Sequence, residues 1–442
     1  MKDWLTMTAC DLGRGIGMGQ IDPVDLTETY LSAIDDHPHR DRIYARVTHD
    51  RARAEAKAAQ ERAGLGLRRS LLDGVPISWK DLFDTAGIGT EAGSALLKDR
   101  VPDADALVLR NATALGTVCL GKTHMSELAF SGLGLNPITE TPPCIHDEEA
   151  VPGGSSSGAG ASVAWGLAAG GIGSDTGGSV RIPAAWNDLV GLKTTAGRLS
   201  LEGVVPLCLR FDTVGPLTRS VEDAAHMLAL LEGGSPADLR GASLKGRRFA
   251  DLQTIAQDDV RDAPRKAYDE AVAKIREAGA EIVPLEVPEL ADAMALTGTV
   301  YTTEAYGLWR DVIEANPEAM YPEILERFRI GKDISGPDYV AAWAKLKACR
   351  NAWDAATNGF DAVLAPTAPI LPPNLDRLMN DHEYYVTENL LALRNTRIGN
   401  LLGLAALTLP TGTPSCGLMM LGFPRSEEVL LRLGSAVEAA LA

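Results

Sequence analysis

Cysteine is sparse and unpatterned in this chain. Its six cysteines, Cys10, Cys119, Cys144, Cys208, Cys349 and Cys416, are scattered with no C-x-x-C pair. That argues against a metal site or a disulfide framework, and for buried or incidental thiols in a reducing compartment. Positive charge is in deficit as well: Lys and Arg total 42 against 59 Asp and Glu, a net charge of −17. Neither nucleic acid nor an anionic membrane is therefore expected as a general partner. Histidine is scarce, and the seven present (His37, His39, His49, His124, His146, His226 and His382) fall in no recognisable motif. A Ser-His-Asp arrangement is not expected, although His124 and His146 stay under consideration for their place in the sequence. A membrane span is missing too. Pro152 to Ser174 holds no charge, but Gly and Ser make up more than half of it, so it falls short of the roughly 18 to 20 mostly apolar residues a span requires. The N-terminal Met1-Lys2-Asp3-Trp4-Leu5-Thr6-Met7 lacks an apolar h-region, which disfavours secretion and leaves a cytoplasmic location as the expectation.

What the chain does have is a pair of glycine-flanked serines. Val151-Pro152-Gly153-Gly154-Ser155-Ser156-Ser157-Gly158 is answered by Ser174-Asp175-Thr176-Gly177-Gly178-Ser179-Val180-Arg181-Ile182-Pro183, with Ser155 and Ser179 twenty-four residues apart. Glycines there permit positive φ and close approach of N–H groups to a ligand, while Ser, Asp and Thr supply local hydrogen bonds. The second run enters a helix-like stretch, Arg181 to Asn187, so the N–H groups of Thr176, Gly177, Gly178 and Ser179 are candidates for an anion-binding nest. The anion is either a phosphate or the oxyanion of an acyl transfer. Neither run matches G-x-x-x-x-G-K-S/T or G-x-G-x-x-G, which disfavours the phosphate. A flexible linker is disfavoured by Val163, Ala164, Trp165, Leu167, Ala168, Ala169 and Ile172, which read as a core-forming helix between the runs. Ser179, at the end of the nest, is then the natural nucleophile.

A base is found in Leu72-Asp73-Gly74-Val75-Pro76-Ile77-Ser78-Trp79-Lys80-Asp81-Leu82-Phe83. An apolar, β-prone segment ends here in a lysine, so Lys80 is expected to point from a buried strand into the interior. Most lysines are solvated; the apolar neighbours Pro76, Ile77, Trp79, Leu82 and Phe83 set this one apart.

Together these residues resemble the amidase signature enzymes, whose marks are a G-V-P-x-x-x-K-D strand, a G-G-S-S-x-G loop and a D-T-G-G-S-x-R-x-P-A loop in that order. The dense resemblance runs from about Asp73 through Gly191-Leu192-Lys193 to Gly215-Pro216-Leu217-Thr218-Arg219-Ser220, and the ending Asn400-Leu401-Leu402-Gly403-Leu404 with Leu409-Pro410-Thr411-Gly412 fits as well. The resemblance implies Ser179 as nucleophile, Ser155 as bridging serine behind a cis Gly154–Ser155 peptide, and Lys80 as base. It also implies Asp175, Arg181 and Ser156 as supports, and Met125 and Ala129 in the pocket wall. The implied activity is hydrolysis of a small-molecule carboxylic amide, or a related ester, hydrazide or urea-type derivative, without metal or organic cofactor. For Lys80 to act near neutrality its pKa must fall by roughly 3 units from about 10.4, and burial is the physical means. The alternatives are the glutaminase subunit of a tRNA-dependent amidotransferase, which needs a partner chain, and a catalytically silent scaffold, against which Lys80, Ser155 and Ser179 are all present. A homo-oligomer is left open. The chain departs from the commonest pattern at Ser157, at Asn187-Asp188 and at Lys193-Thr194-Thr195.

The remaining sequence sets the frame. At 442 residues and 45% hydrophobic the chain can build one large α/β domain, a mixed sheet covered by helices on both faces, with a motif-bearing core over about 70–220 and a helix-rich, pocket-forming region over about 239–382. Asp22-Pro23 predicts the start of a helix through about Asp35, and His49 to Ala63, Asp103 to Ala114 and Glu427 to Leu441 read as helices. Thr117 to Gly121, Glu281 to Leu285 and Asp361 to Ala365 read as strands. Tyr301, Tyr306, Trp309, Tyr321, Trp343 and Trp353 are candidates for the pocket mouth, although aromatics at helical spacing are more often core.

Overall fold

Apolar, β-prone segments alternate with helices along the chain, and in the computed structural model, which describes residues 3–442, they join into one eleven-stranded sheet. The strands are β1 (Tyr44–Val47), β2 (Pro76–Lys80), β3 (Val118–Thr123), β4 (Gly170–Ser174), β5 (Val190–Lys193), β6 (Val214–Thr218), β7 (Arg248–Leu252), β8 (Glu281–Leu285), β9 (Ala362–Pro366), β10 (Ala406–Pro410) and β11 (Gly417–Leu421). Their order is β1-β3-β2-β4-β6-β5-β10-β11-β9-β7-β8. The sheet is mixed. β2 runs parallel to β3 and β4, and β7 to β8 and β9, while the joins β4–β6, β6–β5, β5–β10, β10–β11 and β11–β9 are antiparallel. This is the expected α/β fold, a single sheet flanked by helices.

Strands covered on both faces tend to read as continuous apolar runs, and every residue of β2 is buried. Its one charged residue, Lys80, closes the strand, which sets a charge at the strand end where β2 meets the loops. Capping follows the sequence closely elsewhere. The Asp22 side chain accepts from the N–H groups of Val24 and Asp25 and starts the helix Pro23–Asp35, as an aspartate ahead of a helix-initiating proline does. The helices His49–Gly64 and Glu427–Leu441 and the strands β8 and β9 fall within a residue of their predicted bounds.

Two expectations need correction. The stretch Val163 to Ile172 is not one helix: the helix Ser157–Ala164 ends there, Gly166 turns the chain with φ +74°, and Gly170–Ser174 is strand β4. The predicted helix from Asp103 begins only at Leu107, because Asp105 is held by both Arg51 Nη atoms at 2.8 Å and by the Ala86 N–H instead of capping a helix.

Most of the interior is one hydrophobic cluster, with a second, smaller one that includes Leu133, Val151, Ile182, Trp186, Ile370 and Tyr385. Ile182 and Trp186, one helical turn apart, sink the short helix Arg181–Trp186 into that second cluster. Full burial of Ile182 alone is worth about 1.5–3 kcal/mol, so the segment just after Ser179 is anchored. All six cysteines are free and buried. Among the described residues no helix is long and apolar enough to cross a membrane.

Candidate active site

Because β2 and β4 are adjacent and parallel, with Trp79 beside Ile172, their C-terminal ends deliver Lys80 and Ser174 to the same place. Lys80 Nζ lies 2.7 Å from Ser155 Oγ and 2.8 Å from Ser174 Oγ, and the lysine is wholly buried. Burial pulls its pKa down from 10.5 to about 7, against the opposing pull of the negative charges on Asp175 and Asp212. Near neutrality about half of such a population is uncharged, and in the uncharged form the Nζ lone pair accepts from the Ser155 hydroxyl.

The loop carrying Ser155 is stitched to the loop carrying Ser179 through main chain. Ser156 N–H donates to Ser179 O at 3.1 Å, and Ser126 N–H donates to Ser155 O at 3.2 Å. The Ser156 hydroxyl donates to Ser174 O at 3.1 Å and accepts from Ser174 N–H at 3.3 Å, fastening the loop to the end of β4. The Gly154–Ser155 peptide is cis. A side chain at Gly154 is excluded, since its Cβ would lie 2.5 Å from Gly134 N and 2.6 Å from Ser126 Oγ.

Asp175 organises the second loop. Its Oδ1 accepts from Gly178 N–H, Arg181 Nη2 and Asn400 Nδ2, each at 2.9 Å, and its Oδ2 accepts from Val180 N–H at 3.1 Å and Arg181 Nε at 3.0 Å. Burial alone would raise this carboxyl, but Arg181, Lys193 and Asn400 outweigh it and hold it far below the usual carboxylate range. Arg181 is itself fully buried and also donates to Thr396 O at 2.7 Å and Asn400 Oδ1 at 2.5 Å. The four-amide nest expected from sequence is therefore smaller: Gly178 N–H is committed to Asp175, while the N–H groups of Thr176, Gly177 and Ser179 have no protein acceptor among the described residues. Gly178 still has to be glycine, because its φ is +143° and a Cβ would lie 2.1 Å from Thr396 Oγ1. The Thr176 hydroxyl donates to Asp212 Oδ1 at 2.6 Å, and burial pushes the Asp212 carboxyl up to about 6.

Ser179 opens onto a cavity of about 490 Å³, and its hydroxyl makes no hydrogen bond among the described residues. Thr176, Gly177 and Ala129 share the lining, with Leu207, Met294, Tyr301 and Leu393 as apolar wall and Arg327 and Arg397 as its cations. Met125 does not line it. That side chain is fully buried beside Gly93, and its carbonyl accepts from Asn136 Nδ2. Of the six aromatic candidates only Tyr301 reaches the cavity: Trp309 Nε1 donates to Pro206 O, Trp343 stacks on Phe211, Tyr321 packs edge-on against Tyr385, Tyr306 hydrogen-bonds Glu314, and Trp353 lies in the core. Neither histidine under consideration belongs to the site. His124 is buried, with burial pulling its pKa down to about 4, and His146 Nε2 pairs with Asp188 Oδ2 at 2.6 Å outside the cavity. Among the described residues the side chains grouped closely enough to share a metal ion are Cys10, Glu222 and His226, and Glu323, Glu326 and His382, the latter set at the cavity wall.

A family model for amidases matches residues 25–431. The chain belongs to the amidase signature family. It is 37% identical over 414 residues to the 2-amino-5-chloromuconic acid deaminase of Comamonas testosteroni, covering 90% of this chain and 88% of that one. It is 31% identical over 491 residues to a glutamyl-tRNA(Gln) amidotransferase subunit of Brucella anthropi, covering 100% and 98%. A crystal structure of an amidase matches with a TM-score of 0.88 at 30% identity, over 99% of this chain and 100% of that one.

In this member of the amidase signature family the departures from the common pattern are all internally satisfied. Ser157 Oγ donates to His124 O, and Asn187 Nδ2 donates to Pro152 O and Pro183 O, both at 2.8 Å. Asp188 sits at φ +52° and takes Ser415 N–H as well as His146. Lys193 Nζ donates to Leu404 O at 2.7 Å, and Thr194 Oγ1 to Val214 O at 2.8 Å. None lines the cavity. Sequence reasoning missed Ser174, Asp212, Asn400, Arg327 and Arg397 as neighbours of the site. Ser174 was within reach, since it ends the strand preceding the Asp175 loop, and Asn400 opens the C-terminal run that already fitted the family; Asp212, Arg327 and Arg397 arrive from segments with no such signal.

Proposed function

We propose that this amidase-family hydrolase cleaves a carboxylic amide through an acyl-enzyme on Ser179, with Ser155 and neutral Lys80 as the proton relay. The observation that carries the reading is the 2.7 Å contact between a fully buried Lys80 Nζ and Ser155 Oγ, in a loop whose next residue is hydrogen-bonded to Ser179. Neutral Lys80 takes the Ser155 proton, Ser155 takes the Ser179 proton, and Ser179 Oγ attacks the carbonyl carbon. The Ser155–Ser179 contact closes as the substrate seats, consistent with catalytic hydrogen bonds that tighten only in the complex. The free amides of Thr176, Gly177 and Ser179 receive the developing oxyanion. The relay then runs backwards to protonate the leaving nitrogen, and water releases the acyl group. Asp175, Arg181 and Ser156 hold the two loops, and Ala129 borders the acyl pocket.

No metal, organic cofactor or second chain enters this scheme. The test is ammonia release from a panel of small amides by the protein purified alone. Ser179→Ala is expected to abolish turnover, Lys80→Ala to do nearly the same, and Ser155→Ala to lose several orders of magnitude. Wild-type rates in the Lys80 variant would remove the proposed base.

One observation favours a second reading, the glutaminase subunit of a tRNA-dependent amidotransferase: the match to the Brucella anthropi protein extends over the whole chain. That match spreads 442 residues over 491, so the relative carries segments absent here, and we rank the reading second. Glutaminase activity appearing only with a copurifying partner chain would reverse the ranking.

A further inference from the structure

We infer that Asn389 sets acyl specificity: its Nδ2 donates to a second, uncharged carbonyl oxygen on the acyl part of the substrate, beyond the scissile amide, as in a keto amide or a diamide. The inference rests on the amide-hydrolysis reading of Ser179 and deepens it to a substrate class. Asn389 belongs to the helix His382–Leu401, along which Tyr385, Asn389, Leu393 and Arg397 recur every fourth residue, and all four line the cavity onto which Ser179 opens. Residues at that spacing share one helix face. Only 2% of Asn389 is exposed. Its Oδ1 accepts from Gly132 N–H at 2.9 Å and from the Ser131 hydroxyl at 3.2 Å. A backbone N–H can only donate, so the oxygen must face that loop and the NH2 group must face away from it. Nδ2 meets no acceptor among the described residues.

The other buried asparagines do not share this feature. Asn136 Nδ2 donates to Gly93 O and Met125 O, Asn187 Nδ2 to Pro152 O and Pro183 O, Asn395 Nδ2 to Ala256 O and Pro366 O, and Asn400 Nδ2 to Asp175 Oδ1. A buried donor without a partner is costly, and the one asparagine that lacks an acceptor for Nδ2 is the one that lines the cavity. Its position is tied to the catalytic loop. Gly132, which donates to Asn389, accepts from Gly154 N–H at 2.8 Å, directly before Ser155. One turn further along the helix, Leu393 lies against the nucleophile loop, where a Cβ on Gly177 would meet Leu393 Cδ2 at 3.6 Å. Four residues correspond to ~6 Å of helix rise, so the free donor stands a short acyl chain away from that loop, on the side of Ala129 and Ser131. Val386, Leu390 and Leu393 line the cavity around it. A plain alkyl chain seated there strips water from Nδ2 and returns no hydrogen bond, whereas a carbonyl oxygen restores one. An amide donor carries no charge to offset the desolvation of an anion, so the group it suits is uncharged. That carbonyl takes no part in bond making: water supplies the oxygen of the released acid, the scissile C–N bond breaks, and the nitrogen leaves as ammonia or an amine.

The experiment compares kcat/KM for 3-oxobutanamide with that for butanamide, and for 4-oxopentanamide with that for pentanamide, at pH 8 in wild type, Asn389→Asp and Asn389→Leu. Within each pair a carbonyl replaces one methylene and neither member is charged. The larger of the two oxo-to-alkyl ratios is expected to be about 10 to 100 in wild type and to fall toward one in both variants. Asn389→Asp keeps the acceptor that Gly132 N–H needs and removes the donor, so it separates recognition from anchoring. A wild-type ratio retained in Asn389→Asp would show an anchor only and overturn the inference. Wild-type ratios near one for both pairs, with Ser179 still labelled by a fluorophosphonate, would overturn it too and leave amide hydrolysis standing. If none of the four amides is turned over, labelling of Ser179 decides the hydrolysis reading and binding decides the subsite. In Ser179→Ala, at least one oxo amide should raise Tm more than its alkyl partner does, and the difference should vanish when Asn389→Asp is added. Equal shifts within both pairs would refute the subsite, and that comparison in Ser179→Ala serves equally if the Asn389 variants do not fold.

Discussion

Lowering the pH from 9 to 5 should switch off acylation of Ser179 through Lys80. With a pKa of about 7, the neutral fraction of the lysine is about one half at pH 7, about one tenth at pH 6 and about one hundredth at pH 5. The labelling rate with an uncharged fluorophosphonate, followed by intact mass, should fall along that curve and be flat above pH 8. Using a probe that does not ionise keeps substrate titration out of the profile. Asp212 supplies a check on the cause, because its charge raises the Lys80 pKa. Asp212→Asn should therefore move the midpoint to lower pH, by up to about one unit. Stability should carry the same signature. Since the folded-state pKa lies below the unfolded value, the cost of burying this group is fully present below pH 7 and fades as pH rises toward 10.5, amounting to about 4 kcal/mol at pH 7. Lys80→Met should lack that slope in urea unfolding measured between pH 7 and 10. A labelling rate independent of pH from 9 to 5, or an inflection near 10, would refute the reasoning.

Three further outcomes follow from the geometry. Ser174→Ala removes the second acceptor of Lys80 Nζ, 2.8 Å away, and should lower kcat by about 10- to 100-fold with little change in KM, the mark of a lost transition-state interaction; unchanged kcat would show that Ser155 alone positions the lysine. Gly178→Ala forces a Cβ to 2.1 Å from Thr396 Oγ1 at a φ of +143°, and should cost about 2–4 kcal/mol in chemical denaturation and most of the activity. Asp175→Asn leaves buried Arg181 without its counter-charge, and should destabilise the fold by about 3–5 kcal/mol, read as a lower urea midpoint at pH 7.

Most of the residues that the structure brings together at the candidate site were legible because they are local in sequence. Ser155, Ser179 and the Asp175 loop lie in two short runs whose glycines and polar residues fit only a few backbone shapes, and Lys80 ends a strand whose other residues are apolar. Helix bounds were legible where a cap and a proline coincide, as at Asp22-Pro23. They were not at Asp103, where the tertiary pairing of Asp105 with Arg51 displaced a local preference. The Gly178 amide was misread because an i to i+3 hydrogen bond to Asp175 and an outward-facing N–H arise from the same residues. Least legible was the pocket. Arg327 and Arg397 lie seventy residues apart on different helices, and an arginine in a helical sequence reads the same whether it faces water or a cavity. The aromatics misled for a related reason, since Trp309, Trp343 and Trp353 were consumed by packing and backbone hydrogen bonds.

The most direct test of the central claim is the intact mass of wild type and Ser179→Ala after exposure to a fluorophosphonate. One adduct on wild type and none on the variant is the predicted result, marking Ser179 as the activated nucleophile. Adducts on both proteins, or on neither, would contradict an acyl-enzyme on Ser179.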